Sequence, residues 1–227
     1  LMIMMMIRRL SFLVLILLLP LVLHGQKSDF GLWYDIKADH ELVKGLRIEA
    51  EASLRTDNNA SRIESWYFEP GLRYKVNKYF AAGVYYRFVE QLEKDSQFHQ
   101  RHRWFLQFKG DLPVKRFTLS ARYRIQEQFK TYIEDPEDEF PVWYHRLRCE
   151  LDYDVPSIPL KPYISAEIYN QIFAGNDINV EKMRYIGGLE YAISKKHTIG
   201  LEYVYQDSKV SKPAWMNAVS LNYSVKL

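Results

Sequence analysis

The residues best suited to acid–base chemistry form one small group, which contains His99, His102 and His145. With a serine and an acid, such histidines would build the catalytic centre of a hydrolase. No G-x-S-x-G motif accompanies them, and their spacing places His99 and His102 on opposite faces of a strand. We therefore predict no catalytic residue, no metal site and no cofactor, and keep a hydrolase as an alternative.

Charged residues offer a second kind of chemistry, because arginine and glutamate recur at every other position of long segments. In Leu46–Arg55, for example, charged residues alternate with apolar ones. The planar guanidinium group binds a carboxylate through two parallel hydrogen bonds, which suits a confined polar space. We predict that these residues line the lumen of a barrel: Arg47, Glu49, Glu51, Arg55, Glu69, Arg73, Arg87, Arg101, Arg103, Arg122, Arg124, Arg146, Arg148, Glu150, Glu167, Arg184, Glu190 and Glu202.

The elements that carry these residues are β-strands, since a period of two puts successive side chains on opposite faces. The pattern fills about ten segments from Leu46 onward, and Phe30–Ala38 resembles one more strand. Short connections alternate with longer ones, as in outer-membrane barrels. We predict an all-β, antiparallel up-and-down transmembrane β-barrel of about 10 strands, with 12 as the second choice, because bacterial single-chain barrels normally have an even number.

The direction of the apolar face separates two kinds of barrel. A secreted lipocalin-like carrier turns its apolar residues inward, whereas a membrane barrel turns them toward lipid. Long strands, arginine and glutamate within the strands, lysine at the turns, and aromatic residues such as Trp66, Trp143 and Tyr163 near strand ends all favour the membrane. The predicted lipid-facing residues are Leu106, Phe108, Leu119, Leu147 and Leu151.

The first residues have the pattern of a secretory signal peptide. Arg8 and Arg9 precede an apolar run from Leu10 to Leu23, and Gly25 follows it. This run is shorter than the ~20 residues of a membrane-spanning helix, so an uncleaved anchor is the weaker alternative. We predict a signal peptide at residues 1–25 and an outer-membrane β-barrel at residues 26–227. Membrane lipids and the barrel assembly machinery are the expected partners.

Composition narrows the remaining classes. The net charge is +3, with Lys+Arg 31 against Asp+Glu 28, which predicts no nucleic-acid partner. The chain has one cysteine, Cys149, and therefore no intrachain disulfide. A closed network of backbone hydrogen bonds or a large core must stabilise it instead.

Several stretches resemble an uncharacterised outer-membrane β-barrel family, catalogued as domain of unknown function 2490. These are Asp29–Trp33, Leu46–Arg55, Glu69–Tyr74 followed by Asn77–Tyr79, and Gly83–Phe88. The resemblance covers most of the chain after the signal peptide. It implies an outer-membrane location in a Gram-negative-type envelope and implies no particular activity.

The predicted function is accordingly that of a non-enzymatic outer-membrane barrel, either structural or forming a narrow pore. At ten to twelve strands, arginine–glutamate pairs should cross much of the lumen. They would make either a polar plug or a narrow path that favours anions, since arginine outnumbers glutamate on this face. An outer-membrane lipid-modifying hydrolase and a secreted lipocalin-like carrier are the alternatives.

Overall fold

The computed structural model describes residues 29–133, 139–172, 178–209 and 215–227, and the predicted signal peptide lies outside these ranges. The described residues form eleven strands in one closed barrel. The strands are β1 Asp29–Val43, β2 Leu46–Asp57, β3 Arg62–Lys75, β4 Phe80–Leu92, β5 Phe98–Val114, β6 Phe117–Lys130, β7 Val142–Tyr153, β8 Leu160–Ile172, β9 Ile178–Ala192, β10 His197–Ser208 and β11 Trp215–Lys226.

The chain runs up and down, each strand pairing antiparallel with the next, which confirms the predicted fold class. The number of strands differs from both ten and twelve, because Phe30–Ala38 belongs to a full strand, β1. With an odd number of alternating strands, the first and last point the same way. The barrel therefore closes through a parallel pairing of β1 with β11, from Asp29 opposite Met216 to Asp39 opposite Lys226.

The two ends of the barrel differ in how they connect the strands. At one end, here called the turn end, β1 and β2 are joined by Lys44 and Gly45, and the positive φ of Gly45 suits a residue without Cβ. The opposite loop end carries longer connections. There the Asp29 carboxylate accepts hydrogen bonds from the backbone N–H groups of Asn58 and Asn59, both at 2.9 Å. These bonds fix the start of β1 against the connection between β2 and β3.

The barrel has an apolar outer face and a polar interior. Leu106 is 49% exposed and Ile164 is 64% exposed, whereas Glu69 and Arg87 are buried. A carrier of the lipocalin type would show the reverse arrangement. The strands are 12 to 17 residues long, which is sufficient for a tilted membrane crossing of ~9–11 residues. The chain therefore has the architecture of a transmembrane β-barrel.

A small apolar cluster interrupts the polar interior of the described residues. It lies on the wall formed by β8 to β11 and β1 and consists of Trp33, Tyr163, Ile186, Val204 and Ala218, with Met216 packed against it. The sequence placed Tyr163 among the aromatic residues at the strand ends that face lipid. That prediction is wrong, because Tyr163 points into the lumen and donates a hydrogen bond to Glu202.

Candidate functional site

The lumen contains two adjoining cavities. The larger, of about 460 Å³, lies toward the turn end, and we call it the turn-side cavity. The smaller, of about 190 Å³, lies toward the loop end, and we call it the loop-side cavity. The two cavities meet at one layer of charged side chains, which lines both of them: Lys37, Glu51, Arg122, Arg124, Arg148 and Glu202.

Most of the charged residues predicted to line the lumen border these cavities. They are Glu49, Glu51, Arg55, Glu69, Arg87, Arg103, Arg122, Arg124, Arg146, Arg148, Glu150, Glu167, Arg184, Glu190 and Glu202. The structure places the others near the barrel ends. Arg47 pairs with Asp39, with 2.5 Å between Nη1 and Oδ2, Arg73 pairs with Glu49, and Arg101 pairs with Glu93.

The turn-side cavity has a balanced charge, because its cations have carboxylate partners nearby. Arg148 Nη2 lies 2.5 Å from Glu150 Oε2, and Lys37 Nζ lies 3.8 Å from Glu51 Oε2. Tyr85 donates a hydrogen bond of 2.8 Å to Glu49, which also binds Arg73. This part of the lumen resembles a polar network in which charges neutralise one another.

The middle of the lumen is crossed by two buried ion-pair groups. Arg87 on β4 pairs with Glu69 on β3. Arg146 Nη2 lies 2.9 Å from Glu167 Oε1, and Arg122 Nη2 lies 2.8 Å from the same oxygen. These side chains narrow the lumen, as expected for a barrel of this size.

The loop-side cavity is strongly basic. It is lined by ten basic side chains (Lys37, Arg55, Arg87, Arg103, Arg122, Arg124, Arg146, Arg148, Lys182 and Arg184) against five acidic ones (Asp35, Glu51, Glu64, Glu167 and Glu202). Within the described ranges, Arg55, Arg103 and Arg184 form no ion pair with a carboxylate. Arg184 hydrogen-bonds the amide oxygen of Gln206 instead, with Nη2 at 2.6 Å.

Aromatic rings take the place of carboxylates beside these arginines. The guanidinium carbon of Arg55 lies 4.2 Å from the Trp33 ring centroid, and that of Arg184 lies 4.9 Å from the same ring. The contacts continue on both sides into a row across the lumen, which we call the arginine–aromatic chain: Arg87, Tyr67, Arg55, Trp33, Arg184, Tyr169 and Arg146. Each contact is within the ~6 Å over which a ring face attracts a cation.

Sequence reasoning assigned no role to several residues of this site. Trp33, Tyr67, Lys37 and Lys182 line the loop-side cavity, although lysine was expected at the turns. The available signal was alternation in β1. Trp33, Asp35 and Lys37 are two residues apart and must share a face, which the polar Asp35 marks as the lumen.

The predicted lipid-facing residues lie on the outer surface. Leu106, Leu119, Leu147 and Leu151 are 40% to 51% exposed. Phe108 is half-buried because its ring stacks on that of Phe80, with 6.4 Å between centroids. These leucines are therefore open to contact from outside the barrel wall.

The histidines considered for catalysis are paired with aromatic or acidic residues. His102 Nδ1 lies 2.5 Å from the Tyr86 hydroxyl, and the ring stacks on Phe129. His145 bonds to Tyr123, and His99 bonds to Asp95 at 2.7 Å. Of the hydrogen bonds found for histidine rings in the described chain, none reaches a serine.

The loop end of the lumen carries one further polar group. The Tyr132 hydroxyl donates a 2.6 Å hydrogen bond to Glu93, which also binds Arg101. Burial and this bond raise the pKa of Tyr132 above its usual range, so the hydroxyl keeps its proton at all physiological pH values. Tyr132 therefore acts here as a hydrogen-bond donor that holds Glu93 beside Arg101.

The part of the chain that the structure describes has neither a membrane-spanning helix nor a cluster of metal ligands. No helix there is long and apolar enough to cross a membrane. No group of three histidine, cysteine, aspartate or glutamate side chains there could hold a metal ion.

Comparisons with known proteins agree with this architecture. The model of a family described as "protein of unknown function (DUF2490)" matches residues 30–217. The solved NanC porin is similar in structure, with a TM-score of 0.56 and 16% identity over 88% of this chain and 99% of that chain. The β domain of the Bordetella autotransporter BrkA has a TM-score of 0.51 and 8% identity, covering 81% of this chain and 82% of that chain. No curated protein sequence matches this chain.

Proposed function

The chain belongs to the DUF2490 family of proteins of unknown function, and we propose that it is a non-enzymatic outer-membrane β-barrel whose lumen is a narrow path for small anions. The location is supported by the apolar outer face, by the length of the strands and by the signal-peptide pattern of residues 1–25. Insertion would require the barrel assembly machinery of the outer membrane. The likeness to the two solved barrels supports the fold alone.

The observation that carries the proposal is that the two cavities adjoin each other inside the lumen. They share a layer of charged residues, and together they extend from the turn side to the loop side of the lumen. The excess of basic side chains around the loop-side cavity gives that path a positive potential. Anions should therefore pass this segment more readily than cations of the same size.

The main competing function is a closed, structural barrel. It is favoured by the ion pairs Arg87–Glu69 and Arg146–Glu167, which narrow the middle of the lumen. No comparable observation favours a lipid-modifying hydrolase, because none of the hydrogen bonds found for the candidate histidines in the described chain reaches a serine. A closed barrel and a narrow pore can be distinguished by conductance.

The test is a planar-bilayer recording of the purified, folded barrel in a potassium chloride gradient. We expect small conductance steps and a reversal potential that indicates preference for chloride. Arg103→Gln should lower this preference because it removes a cation without a carboxylate partner in the described structure. Arg116→Gln is the matched control, since Arg116 is exposed in the turn between β5 and β6 and lines neither cavity. A folded barrel that produces no steps would contradict the pore.

A further inference from the structure

The loop-side cavity has a feature that a general preference for anions does not require. Arg55 and Arg103 each have a buried Nε donor that meets no acceptor among the described residues, and so does the indole nitrogen of Trp33. Buried donors without acceptors, and cations without counter-charges, are costly to keep in a folded protein. Their retention in one cavity indicates a place where negative charge is supplied from outside the barrel wall.

The charged residues around these arginines do not neutralise them. The positive charges of Arg87, Arg101 and Arg146 repel that of Arg103. Glu167 is already bound by Arg122 and Arg146, and Glu51 pairs with Lys37 at 3.8 Å. The Asp35 carboxylate accepts a 3.0 Å hydrogen bond from Ser220 and forms no ion pair in the described structure. None of the five acidic side chains of the cavity forms an ion pair with Arg55, Arg103 or Arg184 in the described structure.

The same cavity has an apolar side. Trp33, Val89, Ile186 and Met216 line it together with the arginines. Trp33 and Ile186 belong to the apolar cluster of the lumen wall, and Met216 packs against that cluster. A bare inorganic anion would gain nothing from this wall. A molecule with both a charged group and a flat or apolar part would contact both sides.

We propose that the loop-side cavity is a binding site for a small organic anion. Its carboxylate or phosphate group would lie among Arg55, Arg103 and Arg184, and its apolar part would lie against Trp33 and Ile186. Arginine suits such groups because its planar donors bind two oxygens at once. This site rests on the proposed pore only because the anion must enter the lumen to reach it. Binding itself does not require that ions pass through the barrel.

The test is calorimetric titration of the purified barrel in detergent micelles with benzoate, phenyl phosphate, acetate and benzamide. Benzoate and phenyl phosphate should bind with saturation. Acetate lacks the aromatic ring and should bind at least about tenfold more weakly, and benzamide lacks the charge and should not bind. Arg55→Gln and Arg184→Gln should each weaken benzoate binding about tenfold or more, as expected for a lost charged hydrogen bond.

Two controls keep the test decisive. Arg116→Gln should bind benzoate as the natural protein does, and Arg184→Lys should retain more affinity than Arg184→Gln because it keeps the charge. Heat-modifiable gel mobility verifies that each variant is folded. Equal binding of benzoate and benzamide, or equal binding by all variants, would overturn the site. Conductance without benzoate binding would support the pore and contradict the binding site. Benzoate binding without conductance would support the binding site and contradict the pore.

Discussion

Glu167 on β8 and Arg146 on β7 form a buried ion pair in the middle of the lumen, with 2.9 Å between Oε1 and Nη2. Arg122 binds the same carboxylate oxygen at 2.8 Å, and the Glu167 side chain is 2% exposed. A single carboxylate therefore neutralises two guanidinium groups. Arg184 lies opposite Glu167 in the register of β8 and β9. It contacts Gln206 and the aromatic ring of Trp33 instead of this carboxylate.

Replacing this carboxylate should destabilise the barrel. We expect Glu167→Gln to lower the free energy of unfolding by about 3–5 kcal/mol, because it leaves the buried Arg146 and the half-buried Arg122 without this counter-charge. Urea unfolding from phospholipid vesicles measures the change. Glu41→Gln is the control, since Glu41 pairs with Arg47 at the exposed turn end and should have little effect. Equal stability of the two variants would show that water already screens the charges of the lumen.

The outer face should contact lipid at Leu106. We expect Leu106→Arg to cost about 2–4 kcal/mol of stability if Leu106 lies near the bilayer midplane. A bimane-labelled cysteine at Leu106, in a Cys149→Ser background, should be quenched by brominated lipid. A cysteine at Ser224, which lines the turn-side cavity, should escape this quenching and react with water-soluble maleimide. The reverse result would indicate a soluble carrier with an apolar interior.

The two ends of the barrel should lie on opposite sides of the membrane. Lys94 lies in the connection between β4 and β5 at the loop end, and Lys195 lies in the turn between β9 and β10. We propose that the loop end faces outward, because outer-membrane barrels have short periplasmic turns and longer extracellular loops. In intact cells, a membrane-impermeant maleimide should then label Lys94→Cys and should label Lys195→Cys only after the outer membrane is opened. Both substitutions replace one exposed lysine, so each is the control for the other. Labelling of both in intact cells would contradict the proposed orientation.

The sequence predicts the strands and their faces well because alternation is a local property of the chain. Leu46–Arg55 illustrates this, since β2 covers it and its charged side chains point inward. The number of strands depends on which strands meet at the closure, and that pairing joins residues almost a chain length apart. Because bacterial single-chain barrels normally have an even number of strands, the prediction of ten or twelve excluded β1 as an eleventh strand.

The composition of the loop-side cavity could be predicted only in part. Alternation assigns Arg55 and Arg184 to the lumen, but it does not tell which arginine has a carboxylate within reach. That depends on side chains from strands on different sides of the barrel, such as Trp33 between Arg55 of β2 and Arg184 of β9. The aromatic partners were missed because adjacent aromatic residues, such as Trp66 and Tyr67, fit either face equally well.

The closure between β1 and β11 is the part of the fold that the sequence did not predict. Its parallel register places Tyr34 opposite Leu221, and both side chains are exposed on the outer face. In a barrel of ten strands that began at β2, β11 would pair with β2 instead, and no residue of β1 would lie beside it. A covalent bond across this seam therefore distinguishes the two architectures.

We expect Tyr34→Cys with Leu221→Cys, in a Cys149→Ser background, to form a disulfide when the folded barrel is oxidised. Directly opposed residues of neighbouring strands have Cα atoms within the 4.4–6.8 Å that a disulfide bridges. The bond joins the first and last strands, so the denatured chain should migrate faster on a gel until it is reduced. Tyr34→Cys with Ile199→Cys is the control, because Ile199 points outward on β10, one strand farther away. Crosslinking of neither pair in a folded barrel would place β1 outside the wall.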